Sequence, residues 1–227
     1  MRHAAAPSGL TDGEPVRASS AVARGSLLRA MPRTATVTRA TSETDITVSL
    51  TLGGEGAGER RTGVGFFDHM LDSLARHAAL DLDVDARGDL ETGAHHTVED
   101  TGLLLGRALD EALGARAGIA RFGDATVPMD EARASATIDL SGRPLCVFEA
   151  RRMPSLVIGG FETELCEEFL RAVASTSRMT LHVRIEAGSS AHHMVEVAFK
   201  AFARALRAAV ALNEGAADAV PSTKGLL

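Results

Sequence analysis

Two short stretches of this sequence contain the same metal-binding residue types in the same order. The first runs from Ala94 to Asp100 (AHHTVED) and the second from Ala191 to Glu196 (AHHMVE). Imidazole nitrogens and carboxylate oxygens both bind transition metals in proteins. One copy would be a moderate indication of a metal site. Two copies, in corresponding parts of the chain, predict such a site strongly.

Helix geometry limits how each histidine pair can bind metal. Successive helical residues point about 100° apart, so adjacent histidines cannot easily bind one ion. The glutamate lies one turn further along, on the same side of the helix. We therefore expect two metal ions, with each histidine pair divided between them. The predicted ligands from the two stretches are His95, His96, Glu99, His192, His193 and Glu196.

Aligning the two halves of the chain adds one more pair of candidate ligands. His69 precedes the first stretch, and Glu168 occupies the aligned position before the second. The whole set offers nitrogen and oxygen ligands without thiolate, which suits Mn, Fe or Zn. A six-coordinate site of imidazoles and carboxylates favours Mn or Fe.

The elements that must position these residues also repeat. In the first half, the periodicity predicts strands at 35–39, 45–50 and 80–84, and helices at 66–77 and from 95 to near 114. In the second half it predicts strands at 126–127, 134–140, 144–149 and 179–185, and helices at 162–175 and 192–212. Each half therefore reads strands, helix, strand, helix. Since neither half can cover both faces of its own sheet, we expect a duplicated α+β fold whose halves pack together.

The composition excludes several functional classes. The chain has 227 residues, of which 45% are hydrophobic, so it can bury a substantial core. No apolar run approaches the roughly 20 residues of a membrane span. A net charge of −6 and the absence of Trp and Tyr argue against nucleic-acid binding. Cys146 and Cys166 are isolated in sequence, so we expect free thiols in a reducing compartment, the cytoplasm.

The N-terminal residues differ from the rest of the chain. Residues 1–30 are rich in Arg, Ala, Ser and Gly and lack sustained apolar periodicity. This pattern predicts a disordered extension, or a start codon placed upstream of a natural beginning at Met31. A targeting peptide is the alternative interpretation. The predicted organisation is an extension at 1–30, half-domains at 31–118 and 119–214, and a C-terminal tail at 215–227.

From about Thr34 to Gly225 the motifs resemble those of the imidazoleglycerol-phosphate dehydratase family. The matching motifs are FDHML at 67–71, HHTVED at 95–100, RFGD at 121–124, SGRP at 141–144, HHxxE at 192–196, FKA at 199–201 and PSTKG at 221–225. The resemblance implies a hydro-lyase of histidine biosynthesis that converts imidazole glycerol phosphate to imidazole acetol phosphate. It also implies duplicated half-domains of the ribosomal protein S5 domain 2-like type, with helices on one face of the sheets.

The resemblance further implies how the site is built. It implies two Mn²⁺ per active site, at subunit interfaces of a homo-24-mer assembled from trimers. Metals that bind the substrate ring as imidazolate would help it to expel the hydroxyl group, and Glu43 matches the acid/base group. Lys200 is one turn beyond Glu196, which independently supports its proximity to the site. The residues implied to bind the substrate, mostly at its phosphate, are His77, Arg121, Arg143, Lys200, Ser222, Thr223 and Lys224.

One departure from the family pattern concerns a predicted metal ligand. The family usually has His where this chain has Glu168, so we expect metal binding to be retained with altered affinity or metal preference. Two other functions remain open: a non-catalytic metal-binding or shell-forming paralogue, and a dinuclear metallohydrolase. The phosphate-binding residues and Glu43 have no purpose in the paralogue, and the hydrolase explains them less well.

Overall fold

A computed structural model of the chain describes residues 33–150, 153–213 and 219–222, together with Met1. The predicted N-terminal extension, apart from Met1, lies outside the described residues. So do the predicted substrate-binding residues Thr223 and Lys224 and most of the C-terminal tail.

The first half of the chain forms a four-stranded sheet with two helices. Strand order is β1-β2-β4-β3, with antiparallel β1–β2 and β2–β4 pairs and a parallel β3–β4 pair. A short 3-10 turn at Leu90–Thr92 precedes the second helix. The elements are β1 (Thr34–Ala40), β2 (Thr44–Leu52), β3 (Arg60–Arg61), α1 (Gly65–Ala78), β4 (Leu80–Gly88) and α2 (His95–Leu113).

The second half has a sheet of the corresponding order, β5-β6-β10-β7, again with two antiparallel pairs followed by a parallel one. Its elements are β5 (Phe122–Met129), β6 (Ala132–Asp139), β7 (Leu145–Glu149), β8 (Val157–Ile158), β9 (Phe161–Glu162), α3 (Leu165–Ser177), β10 (Thr180–Ala187) and α4 (Ala191–Val210). The α+β class is confirmed. The sequence did not predict β3 or the β8–β9 hairpin, because two-residue strands are too short to show a period.

The four helices lie between the two sheets. Helix α2 packs on β1 and β2, and α4 packs on β5 and β6, while α2 contacts α3 and α1 contacts α4. Fully buried phenylalanines from three helices meet in this layer, with Phe169 5.3 Å from Phe67 and 5.1 Å from Phe199 between ring centroids. A Cβ at Gly106 would lie 2.4 Å from the Val173 carbonyl oxygen. Glycine at this position therefore allows α2 and α3 to approach closely.

The buried side chain of Arg116 connects the end of α2 to the second half. Its guanidinium donates to the carbonyl oxygens of Leu140 (3.0 Å) and Ser177 (2.7 Å) and to Asp110 Oδ1 (2.5 Å). Arg178 binds the same carboxylate from the surface, with Nη2 2.9 Å from Oδ1. Both arginines have a left-handed backbone, with φ of 55° and 56°. They therefore form a matched pair that differs mainly in burial.

The cysteines match the expectation of free thiols. Cys166 is buried and Cys146 is half-buried, and neither forms a disulfide. Burial raises the pKa of Cys146 to about 11 and raises that of Cys166 as well, so both thiols stay protonated at neutral pH. Among the described residues, no helix is long and apolar enough to cross a membrane.

We predict that Arg116→Met lowers the free energy of unfolding by roughly 2–4 kcal/mol, because two buried carbonyl groups lose their donor. Arg178→Met, the exposed counterpart, should lower it by less than about 1 kcal/mol. Urea unfolding followed by circular dichroism measures both. Equal and small losses in the two variants would show that Arg116 does not connect the halves energetically.

Candidate metal centre

The two histidine pairs open helices α2 and α4, and their rings are splayed in the same way. The ring centroids of His95 and His96 are 6.0 Å apart with an interplanar angle of 86°. Those of His192 and His193 are 5.9 Å apart at 84°. Adjacent imidazoles thus face different surroundings in both halves, as helix geometry predicts.

One cluster of potential metal ligands forms where α1 packs on α4. His69, His192 and Glu196 each offer a ligand atom, and these atoms all lie within 4.8 Å of one another. Glu196 Oε2 is 3.2 Å from His192 Nε2 and 3.7 Å from His69 Nε2. The carboxylate is buried while the imidazoles are exposed. Buried charges in proteins are paired or bind metals, so this nitrogen and oxygen donor set fits a divalent transition-metal ion.

Lys200 stabilises the charge of Glu196 in this cluster. Its Nζ lies 2.7 Å from Glu196 Oε1, on the oxygen that does not face the imidazoles. Burial acts to raise the pKa of Glu196, but the hydrogen bond and charge of Lys200, with His69 and His192, lower it on balance. Glu196 is therefore ionised, with one oxygen directed toward the two histidines.

His77 lies on α1 near the same cluster. Burial lowers its pKa, and the charges of Lys200 and Arg204 lower it further. The imidazole is consequently neutral near pH 7 and able to accept a hydrogen bond. This location is compatible with the substrate-binding role predicted for His77.

The corresponding ligands of the first half are less closely gathered. His95 Nε2 is 3.5 Å from Glu99 Oε2 on α2. Glu168 lies half-buried in the first turn of α3, which packs on α2. Across the described residues, these three do not form a group with all ligand atoms within 4.8 Å. Their role as a second set of ligands remains a prediction.

The second histidine of each pair is held by a carboxylate that the sequence reasoning missed. His96 Nδ1 lies 3.1 Å from both oxygens of Asp89, and His193 Nδ1 lies 2.8 Å from Glu131 Oε2. The hydrogen bond to Asp89 raises the pKa of His96, and the bond to Glu131 raises that of His193. Asp89 and Glu131 lie in turns without a periodic pattern, so their roles had no signal in the sequence.

The predicted acid/base residue Glu43 lies beside the first histidine pair. It occupies the β1–β2 turn, with Oε2 4.0 Å from His96 Nδ1. Thr41 Oγ1 accepts the backbone N–H groups of Glu43 (3.1 Å) and Thr44 (3.0 Å). Thr44 Oγ1 in turn donates to the buried Asp100 (2.5 Å). The turn that carries Glu43 is therefore anchored to α2.

Two of the predicted phosphate-binding residues contact Asp139, and a third, Ser222, follows a residue that one of them contacts. The Arg121 guanidinium donates to both oxygens of Asp139, at 2.7 and 3.2 Å, and to the Pro221 carbonyl oxygen at 2.7 Å. Arg143 Nη2 is 3.7 Å from Asp139 Oδ2. Ser222 directly follows Pro221 in sequence. This group brings positive charge and a hydroxyl to one end of the second sheet.

The predicted phosphate-binding group and the candidate metal cluster lie at opposite ends of the same elements. In the β5–β6 pair, Phe122 is opposite Asp139 at one end and Met129 is opposite Ala132 at the other. Lys200 Nζ is 3.5 Å from Met129 Sδ, at the end distant from Asp139. Seven residue steps along a strand span about 24 Å. The two groups also lie at opposite ends of helix α4. His192 is at the start of this helix, and the Arg121 N–H donates to the Ala209 carbonyl oxygen near its end (2.9 Å).

Comparison with known proteins gives a consistent match. Residues 62–206 match the family described as Imidazoleglycerol-phosphate dehydratase. Curated proteins of that name include one from Jannaschia sp. (strain CCS1), 52% identical over 195 residues that cover 86% of this chain and 100% of the relative. Another, from Salinibacter ruber, is 56% identical over 196 residues, covering 86% of this chain and 96% of the relative.

Two solved structures with the same enzyme name resemble the fold. The Staphylococcus aureus imidazoleglycerol-phosphate dehydratase has a TM-score of 0.72 and 36% identity, covering 79% of this chain and 99% of the other. The Pyrococcus furiosus enzyme, in complex with (S)-C348, has a TM-score of 0.73 and 38% identity, covering 84% of this chain and 100% of the other.

We predict that His69→Ala weakens metal binding at this cluster by at least about tenfold, because one imidazole leaves the three candidate ligands. Asp72→Ala removes an exposed carboxylate one turn away on the same helix and should leave binding unchanged. Equilibrium dialysis with metal analysis measures both variants. A His69→Ala protein with full affinity for every ion would rule out His69 as a ligand.

Proposed function

This chain belongs to the imidazoleglycerol-phosphate dehydratase family, and from that premise we propose that it dehydrates imidazole glycerol phosphate to imidazole acetol phosphate in histidine biosynthesis. The reaction is that of a carbon–oxygen lyase. The observation that carries the proposal is the pair of splayed histidine doublets, each opening a helix, with His69, His192 and Glu196 gathered into one cluster. Such a set suits an imidazole substrate, which is itself a metal ligand.

The metal ions of the proposed enzyme are two Mn²⁺ per active site. The residues that would hold them are His69, His95, His96, Glu99, Glu168, His192, His193 and Glu196. When bound, such ions act as Lewis acids that polarise and orient the substrate. The donor types support this assignment, since none of these ligands is a thiolate and both cysteines lie elsewhere as protonated thiols. Those free thiols also agree with a cytoplasmic location.

In the proposed mechanism, this chain's own side chains move the proton and hold the phosphate. Glu43, on a turn fixed by Thr41 and Asp100, is the acid/base group that takes the proton lost by the carbon chain of the substrate, while the substrate's hydroxyl group leaves with a proton as water. Arg143, whose side chain is 72% exposed, is free to meet the phosphate with charge-assisted hydrogen bonds. The remaining phosphate-binding residues of the proposal are Arg121, Ser222, Thr223 and Lys224, while Lys200 would meet the substrate from its place beside the metal cluster.

The separation of these two groups supports an active site shared between copies of the chain. About 24 Å lies between the Asp139 end and the Lys200 end of the β5–β6 pair. A substrate of one imidazole ring, three carbons and one phosphate is much shorter. We therefore propose that a second copy supplies the phosphate-binding residues, in trimers that build a 24-subunit assembly.

The internal symmetry of the chain has a proposed origin in duplication. The two sheets have corresponding strand order and directions. Along the chain, the last strand of each sheet, β4 or β10, is preceded and followed by a helix. This supports two half-domains of the ribosomal protein S5 domain 2-like type. The duplication explains why each metal-binding residue type occurs in both halves.

The central experiment incubates the purified full-length protein, saturated with Mn²⁺, with imidazole glycerol phosphate and follows imidazole acetol phosphate. We predict product formation that is lost when the metal is removed by chelation. Full metal occupancy without product would contradict the dehydratase proposal and favour a non-catalytic paralogue. Release of inorganic phosphate instead of dehydration would favour a dinuclear metallohydrolase.

A mixing experiment tests the shared active site. Glu196→Gln damages the metal cluster, and Arg143→Met damages the phosphate-binding group of the protein. Each variant alone should therefore be nearly inactive. If two copies build each site, mixed assemblies from co-expression should recover activity in roughly a quarter of their sites. If all residues of a site came from one chain, mixing would restore nothing.

Glu168 provides a further test because the family usually has His there. We predict that Glu168→Ala lowers metal content and turnover, since it removes a ligand, and that Glu168→His shifts the preference among divalent ions. Glu167→Ala is the matched control, because Glu167 is next to Glu168 on α3 and pairs with Arg171 one turn later. Unchanged metal content and turnover in Glu168→Ala would refute the assignment.

A further inference from the structure

The second histidine of each pair makes the same type of contact in both halves. Nδ1 of His96 and of His193 meets a carboxylate, Asp89 in the first half and Glu131 in the second. We propose that these two acids are positioning residues that fix the imidazoles so that Nε2 faces a metal ion. This inference rests on the proposed function, because it concerns the same metal site.

Glu131 is held rigidly enough to act in this way. Its Oε1 accepts the backbone N–H groups of Ser189 (3.0 Å) and Ser190 (2.8 Å), which lie just before α4. Its Oε2 lies 2.8 Å from His193 Nδ1. One carboxylate therefore binds the β5–β6 turn to the start of α4 and sets the ring orientation at that end.

Asp89 holds the ring of His96 from a different part of the fold. Both of its oxygens are 3.1 Å from His96 Nδ1, and Oδ2 also accepts from Thr92 Oγ1 at 3.0 Å. Asp89 lies between β4 and α2, whereas Glu131 lies in the turn between β5 and β6. The two halves thus hold equivalent histidines with residues that do not correspond in the repeat.

This asymmetry bears on Glu43. The turn of the first half that corresponds to the Glu131 turn is the β1–β2 turn, which carries Glu43. Glu43 Oε2 stands 4.0 Å from His96 Nδ1, beyond hydrogen-bond distance, and Asp89 is the carboxylate that contacts that nitrogen, at 3.1 Å. Asp89 therefore leaves the Glu43 carboxylate available for proton transfer, while its counterpart Glu131 is committed to ring positioning.

The chemistry gives these contacts a measurable effect. An imidazole that donates its Nδ1 proton to a carboxylate carries its lone pair on Nε2, and the carboxylate increases the basicity of that nitrogen. Loss of such a partner typically weakens metal binding by about 10–100-fold.

The test is a calorimetric Mn²⁺ titration of the metal-free, full-length protein without substrate. Glu131→Gln keeps an acceptor for the Ser189 and Ser190 N–H groups but removes the charge that faces His193. We expect Glu131→Gln to lower the Mn²⁺ affinity of one site at least about tenfold, and Asp89→Asn to lower the affinity of one site by a similar factor. Wild-type affinity in both folded variants would overturn the proposal.

Two controls separate ring positioning from other effects. Ser190→Ala removes the cap between Ser190 Oγ and His193 N (3.4 Å) without touching the ring nitrogens. It should retain wild-type affinity, and a loss equal to that of Glu131→Gln would assign the effect to helix capping instead. If Glu131→Gln does not fold by circular dichroism, Asp89→Asn decides the proposal alone, since Asp89 caps no α-helix.

Glu43→Gln distinguishes this inference from the proposed function. It should retain wild-type Mn²⁺ affinity and lose turnover, the opposite of a pure positioning residue. Weakened Mn²⁺ binding in Glu43→Gln would contradict the division of roles between the two turns. A protein that binds metal as described but forms no imidazole acetol phosphate would overturn the proposed function and leave the positioning roles intact.

Discussion

Two adjacent histidines at the start of a helix must point in different directions, and the proposed metal site of this chain depends on that angle. The rings of both pairs are close to perpendicular, at 86° and 84°. His192 therefore turns toward Glu196, one helical turn later, while His193 turns toward Glu131. One short motif thus presents two candidate ligands in different directions, and its duplication presents two more.

The rest of the fold serves to bring partners to those two directions. Packing of α1 on α4 delivers His69 to the second pair, and the β1–β2 and β5–β6 turns deliver Glu43 and Glu131 to the helix starts. The same elements carry the Arg121 and Arg143 group to the far end of the second sheet. In a single chain, the candidate metal ligands and the arginine group are therefore far apart. This separation accounts for the proposed sharing of sites between copies.

Much of this could be predicted from local sequence patterns. Helix periodicity gave α1 to α4 within a few residues, and the spacing of His192 and Glu196 placed them on one helix face. The contacts that join distant residues could not be predicted this way. The pairing of Asp89 with His96 and of Asp139 with Arg121 depends on turn conformation and strand register, which leave no periodic signal. The distances from Glu168 to His95 and Glu99 likewise depend on how α3 packs on α2.

The number of metal ions per chain tests the central claim most directly. If adjacent histidines serve different ions, then Mn²⁺ added to the metal-free wild-type protein should bind until two ions per chain are taken up. Electron paramagnetic resonance of the unbound Mn²⁺ measures that point. Saturation at two ions per chain is the predicted result. Saturation at one ion per chain would contradict the account, because the two histidine pairs would then not serve two ions.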